Sequence, residues 1–249
     1  MSPSQPGSAR LAEWPVAILA GGLATRLRPT TERIPKALLE VANRPFITHQ
    51  LTLLRSAGFR RIVFCLGHLG QQIETFLCDG ANFGLNISYS FDGQQLLGTG
   101  GALKQAMGLL GARFVVLYGD SYLPVDYEPI IETFLREHKP ALMTIFKNEG
   151  LWDTSNVWFE SGQIHCYNKR MPTPNMRYIE YGIGVLTSEA FDRFEGEKMF
   201  DLAEVYEELV KEGRMAVHEV KQRFYEIGSP AGLAELDELL RAQSGTLIP

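Results

Sequence analysis

The feature that most restricts the fold is a repeated alternation of short apolar runs with amphipathic stretches. Residues 16–20, 61–66, 114–118 and 141–146 are runs of five or six residues of nearly unbroken apolar character, and 86–90 reads as a further strand. Between them lie segments with helical spacing, at 45–57, 71–78, 100–110 and 127–137. The first of these puts Phe46, Leu51, Leu53 and Leu54 largely on one side and ends at Gly58. Apolar runs this short, set between helices, indicate strands covered on both faces, as in a parallel sheet. The expected fold class is therefore α/β, a doubly wound Rossmann-like arrangement.

The second half changes character. Residues 156–159 and 163–167 flank Glu160-Ser-Gly and predict a β-hairpin. An apolar strand at 179–186 carries Gly182 and Gly184, a strand at 215–220 follows, and helices are expected at 202–212 and 231–242. The whole is expected to form a mixed sheet with a smaller β-rich lobe. No repeat or linker divides 14–249, so one domain with halves near 14–150 and 151–249 is expected. Residues 1–13, rich in Ser, Pro, Gly and Ala, read as a flexible tail and not as a signal peptide.

A net charge of −5 argues against general nucleic-acid affinity, which needs a basic face. No segment has the ~18 apolar residues of a membrane span, so no membrane partner is expected and the cytoplasm is the default location. Cys65, Cys78 and Cys166 form no CxxC pair, and the five histidines show no metal-ligand spacing.

The chemistry concentrates where the first strand ends. The run LAGGLATRLRP (19–29) turns sharply at Gly21 and Gly22, so that backbone N–H groups from Leu19 through Gly22 are able to approach a phosphate or a base. Thr25 adds a hydroxyl, and Arg26 and Arg28 add cations. Neither GxxxxGKS/T nor GxGxxG is present, so the loop is not a standard phosphate or dinucleotide motif. Ten residues after Arg26, Pro35 stiffens the backbone that presents Lys36. Asp120 follows a buried strand, where open α/β sheets place ligands and where a carboxylate suits Mg²⁺.

LAGG-xATRLRP, IPKALLEV, LLGTGGAL and LYGDSYL, in that order, resemble the sugar-phosphate nucleotidyltransferase family, over roughly residues 15–240. The likeness is nearest to its heptose- and mannose-1-phosphate guanylyltransferases. It implies a nucleotide-binding first half and a sugar-binding second half. By this resemblance Leu19, Ala20, Gly21, Gly22, Thr25, Arg26, Gly98 and Thr99 bind the nucleotide, and Arg26, Lys36 and Asp120 serve catalysis. Asn156, Lys169, Glu180 and Gly182 fall to the sugar phosphate, and Asp120 with Glu226 to Mg²⁺. Glu226 stands where relatives commonly have Asp, and Ala24 stands where many have Gly, which implies a negative φ there.

The resemblance implies attack of a sugar 1-phosphate on the α-phosphorus of a nucleoside triphosphate, with GTP favoured. A phosphate monoester is already a dianion above pH ~6, so no dedicated base is needed. Homo-oligomerisation is left open. Two other functions stay open: a cytidylyltransferase for phosphocholine or a phosphonate, with Trp152, Trp158, Tyr178 and Tyr181 as a cation cage, and an inactive nucleotide-binding regulator.

Overall fold

The structure is a computed structural model that describes the backbone of residues 11–245 and the side chains of 11–243. The expected tail falls largely on residues 1–10, which lie outside the described residues. Its last three positions are a 3-10 turn, Leu11–Glu13, with Leu11 buried in the core. Residues 11–13 therefore belong to the packed frame and not to a tail.

The chain runs through β1 (Pro15–Leu19), the small β2 (Glu40–Val41) and β3 (Arg44–Pro45), α1 (Phe46–Ala57), β4 (Arg61–Leu66), α2 (Gly70–Leu77) and β5 (Asn86–Phe91). It continues through α3 (Gly98–Gln105), α4 (Met107–Leu110), β6 (Arg113–Tyr118), β7 (Ser121–Tyr122), α5 (Glu128–Glu137) and β8 (Ala141–Lys147). The remainder is β9 (Val157–Glu160), β10 (Gln163–Tyr167), β11 (Tyr178–Thr187), α6 (Leu202–Lys211), β12 (Met215–Val220), β13 (Tyr225–Glu226) and α7 (Pro230–Gly245). The helix expected over 100–110 is two helices, broken at Ala106.

Nine strands form one sheet in the order β10-β9-β11-β6-β1-β4-β5, with β8 paired to β11 and β12 to β8. β1 pairs parallel with β4 and β6, and β4 with β5, whereas β11 is antiparallel to both β6 and β8. The sheet is thus mixed. The boundary near 150 is not a seam, because β8 takes both its partners from beyond it. β1 shows why its residues are wholly apolar: Val16 and Ile18 enter one hydrophobic cluster and Ala17 the other. α1, α2 and α5 cover the first face, and α3, α4 and α6 the second.

Local signals explain the helix ends. α1 stops at Gly58, whose φ of 113° suits glycine, and α6 starts in a capping box made by Asp201 and Glu204. The carboxyl ends of β1, β4, β5 and β6 share one edge of the sheet, and antiparallel β11 brings its amino-terminal half to that edge.

Candidate active site

A cavity of about 330 Å³ opens along this edge. It runs from Asp92 and Gly98, past Gly21 and Gly22, to Lys36 and Asp120. Close backbone approach shapes it. A Cβ on Gly21 would lie 2.9 Å from Gly67 N, and one on Gly119 would lie 2.9 Å from Leu19 O. A Cβ on Gly22 would meet nothing within 4 Å, so Gly22 leaves its backbone bare toward the opening and not toward a neighbour.

The loop corrects one expectation. Ala24 does not have a negative φ; it is left-handed, at φ 46° and ψ 45°. Its carbonyl is held by Leu27 N–H at 3.1 Å and by Thr31 Oγ1 at 2.8 Å. Those two bonds offset the roughly 1–2 kcal/mol that this conformation costs a residue with a Cβ. Thr25 and Arg26 follow on an exposed 3-10 turn and do not line the cavity. Arg26 lies instead beside Gly228, where its Nη2 would be 2.7 Å from a Cβ at that glycine.

Lys36 and Asp120, 84 positions apart, meet: Nζ donates to Oδ2 at 2.6 Å. A side chain that escaped notice in the sequence braces the Asp120 turn. Gln50, 2% exposed on α1, donates through Nε2 to Tyr118 O and Ser121 O, at 2.9 Å each. Its signal was a long polar residue beside Ile47, Leu51 and Leu54 on a buried helix face. β13 pairs with β7, which sets Glu226 opposite Ser121, and Ile227 N–H donates to Asp120 O at 2.9 Å. The Glu226 carboxylate turns onto its own loop, where Oε2 accepts from Gly228 N–H and Oε1 from Ser229 Oγ at 3.0 Å. Among the described residues no group of three or more His, Cys, Asp or Glu converges.

On the β11 side, the four residues assigned to the sugar phosphate fall into one neighbourhood with Glu180 at its centre. Glu180, with a side chain 5% exposed, accepts from Tyr118 OH at 3.0 Å and Tyr167 OH at 2.6 Å, and pairs with Lys169 Nζ at 2.7 Å. Asn156, itself buried, accepts from Glu180 N–H at 2.9 Å through Oδ1. Gly182 sits at φ 105° where the β11 register shifts. Burial first, then the Glu180 charge, push the Tyr118 and Tyr167 hydroxyls well above the ordinary phenol range, so both stay protonated donors. Burial opposes the Lys169 charge, but Glu180 outweighs it and holds the ammonium above its usual value. Glu180 is thus committed to these partners. Tyr118 and Tyr167 read in the sequence merely as apolar strand ends.

The LLGTGGAL segment owes its glycines to packing. A Cβ on Gly98 would be 2.5 Å from Phe200 O, and Gly100 and Gly101 N–H both donate to that carbonyl. Thr99 Oγ1 accepts from Leu202 N–H at 2.8 Å, which fastens α3 to α6. The four aromatics of the alternative cage do not converge. Trp152 stacks on Arg223, Trp158 on His165, Tyr178 against Phe159, and Tyr181 against Phe146 and Phe224.

The nucleotidyl transferase family profile matches residues 16–151. The chain is 31% identical over 229 residues to the N-acetylmuramate alpha-1-phosphate uridylyltransferase of Neisseria meningitidis serogroup B, covering 90% of this chain and 97% of that one. It is 28% identical to the mannose-1-phosphate guanylyltransferase catalytic subunit beta of Drosophila melanogaster, covering 86% of this chain and 59% of that longer protein. A solved structure of a putative glucose-1-phosphate thymidylyltransferase from Bacillus anthracis, in complex with a sucrose, superposes with a TM-score of 0.79 at 23% identity, over 92% of this chain and 95% of that one.

Proposed function

The chain belongs to the nucleotidyl transferase family, and from that premise we propose that it transfers a nucleoside monophosphate from a nucleoside triphosphate to a sugar 1-phosphate, releasing pyrophosphate. The relatives' names support the reaction class, and one observation supports its placement here. Two lysine–carboxylate pairs, Lys36–Asp120 and Lys169–Glu180, stand at one sheet edge, Asp120 just past the end of β6 and Glu180 on the neighbouring β11. Two polyanions meeting at that edge need cations on both sides.

The chain's own residues supply positioning and neutralisation. The loop around Gly21 and Gly22 offers N–H groups to the triphosphate, and Lys36 sits where charge develops around the α-phosphate. Lys169 serves the incoming sugar phosphate, oriented by Glu180 and by Tyr118, which lies 3.3 Å from its Nζ. Arg26 takes a supporting role at the rim, and reaches the phosphates only by turning away from Gly228. Asn156 offers its amide Nδ2 to a sugar hydroxyl while its Oδ1 holds Glu180 N–H. The phosphate nucleophile enters as a dianion, so none of these groups need remove a proton.

The donor set fits Mg²⁺, which takes one or two carboxylates and leaves the rest of its shell to phosphate oxygens and water. Asp120 would supply one carboxylate, and Glu226 a second after releasing Gly228 and Ser229. When bound, such an ion withdraws charge from the phosphoryl oxygens.

A matrix of nucleoside triphosphates against sugar 1-phosphates, read by pyrophosphate release, tests the reading. One productive pair is expected. Lys36→Ala should lower its turnover roughly 100-fold, as for loss of one preorganised charge donor. Near-normal turnover in that variant would remove Lys36 from the chemistry.

A further inference from the structure

We propose that Arg223 is a positioning residue for the incoming sugar phosphate, acting through Trp152 on the loop 148–156. The inference rests on the reading above that Asn156, Lys169 and Glu180 hold that substrate. The loop leaves β8 and returns at Asn156, whose N–H donates to Tyr178 O at 2.9 Å, two positions before Glu180. Its inner side is wound on the buried Asn148, whose Nδ2 donates to Asp153 O at 2.6 Å and to Ser155 Oγ at 2.9 Å. Its outer side is open, with Leu151 70% and Trp152 48% exposed. From there the Trp152 ring reaches Arg223, whose guanidinium carbon lies 3.4 Å from the ring centroid.

Arg223 is held in the orientation that this contact needs. It lies between β12 and β13, and its Nη1 and Nη2 donate to the two carboxylate oxygens of Glu235 on α7, at 2.6 and 2.7 Å. A guanidinium donates within its own plane and stacks across it, so one side chain meets Glu235 and Trp152 together; an ammonium cannot. The Tyr225 ring lies 4.8 Å from the same carbon, and Phe224 packs edge-on against Phe146 and Tyr181. The backbone then enters β13, which pairs with β7 directly after Asp120. Arg223 thus fastens the loop beside Glu180 to the strand pair beside Asp120. Both its Nη atoms are taken by Glu235, so its effect on a substrate passes through the loop and not through a phosphate of its own. A loop that must hold one arrangement for binding weakens its substrate by the fraction of time spent elsewhere. A guanidinium stacked on a half-exposed indole favours that arrangement by a factor of roughly 3 to 30.

The test compares the unaltered full chain with Trp152→Ala, Arg223→Lys and the double variant, by steady-state rates on the productive substrate pair and by equilibrium binding of the triphosphate. Each single variant should raise KM for the sugar phosphate roughly 3- to 30-fold, with kcat and triphosphate affinity held within about twofold. The double variant should be no worse than the worse single one, because both changes break the same contact. A KM within about twofold of the unaltered chain in Trp152→Ala overturns the proposal, as does a double variant whose rise is the product of the two single rises. A matching loss of triphosphate affinity in Trp152→Ala also overturns it, since that marks general disruption. Trp152 is half exposed and on a loop, so its replacement decides the matter even if Arg223→Lys does not fold. Unaltered chain that turns over no pair of substrates removes the nucleotidyl transfer and this inference together; unaltered KM in Trp152→Ala removes this inference alone.

Discussion

Replacing Gln50 with Leu asks how firmly the Asp120 turn is held from beneath. The two side chains are close in size, so α1 should still pack, but Tyr118 O and Ser121 O each lose a donor at 2.9 Å. Two such bonds are worth about 1–3 kcal/mol net. Part of that loss is offset, because Gln50 Oε1 is itself buried without a partner among the described residues and its removal returns about 1 kcal/mol. The balance is a destabilisation of about 0–2 kcal/mol, at most about 8 °C in Tm for a chain of this length. The catalytic effect is separate. Gln50 grips the backbone on both sides of Asp120, and a shift of that carboxylate by about 1 Å would lower kcat by up to ~100-fold. A partial shift, and a roughly 10-fold fall in kcat, is expected, with KM for the sugar phosphate little changed. Gln50→Glu, which turns acceptors toward both carbonyls, should be worse on both measures. Melting curves and initial rates of pyrophosphate release on the productive substrate pair provide the readouts. If Gln50→Leu loses stability but keeps kcat within about twofold, the brace is structural only and the positioning argument fails.

Three further outcomes are expected. Ala24→Gly should leave stability unchanged or raise it by about 1 kcal/mol, and Ala24→Val should lower it by more, because a β-branched residue resists φ 46°; equal melting of the two variants would contradict this. Glu180→Gln removes the charge partner of Lys169 and the acceptor of Tyr167, so KM for the sugar phosphate should rise about 10-fold while triphosphate affinity holds; a matching loss of both would point to general disruption. His49 and His218 have pKa values lowered from 6.5, chiefly by burial and then by the nearby Arg44 and Arg136. A depressed base contributes stability above the unfolded value, so acidification from pH 7 toward 5 should destabilise the protein as the unfolded chain takes up protons that the folded one refuses. His218→Gln should flatten that slope, and an unchanged slope would show that carboxylates alone set it.

Much of the site was legible because its signals are local. Glycines at a strand end, a proline-stiffened lysine and an aspartate after a buried strand each announce themselves within a few residues, and the structure brings Lys36 and Asp120 to 2.6 Å of each other. Other parts were hidden because their meaning depends on a distant partner. Glu180 looked like a sugar-facing residue, but burial against Tyr118 and Tyr167 makes it the holder of Lys169. Gly98 and Thr99 were assigned to the nucleotide from local pattern alone, and the close packing of Gly98, Gly100 and Gly101 against the 198–201 segment about a hundred residues later was not visible there. Asp92 drew no attention at all, since nothing beside it in the sequence reveals that β5 ends at the far wall of the same cavity.

By itself, then, the sequence determined which segments become strands and helices, and that apolar strands buried on both faces need helices on both sides. Periodicity and turn chemistry act over a few residues, and that is enough for these conclusions. Tertiary structure alone decided the antiparallel insertion of β11 between β6 and β8, the left-handed Ala24 held by Thr31, and the commitment of Glu226 to its own loop. Each of these is a choice among partners remote or unmarked in the chain. Only the folded packing, in which every buried donor and acceptor must find its match, settles such choices.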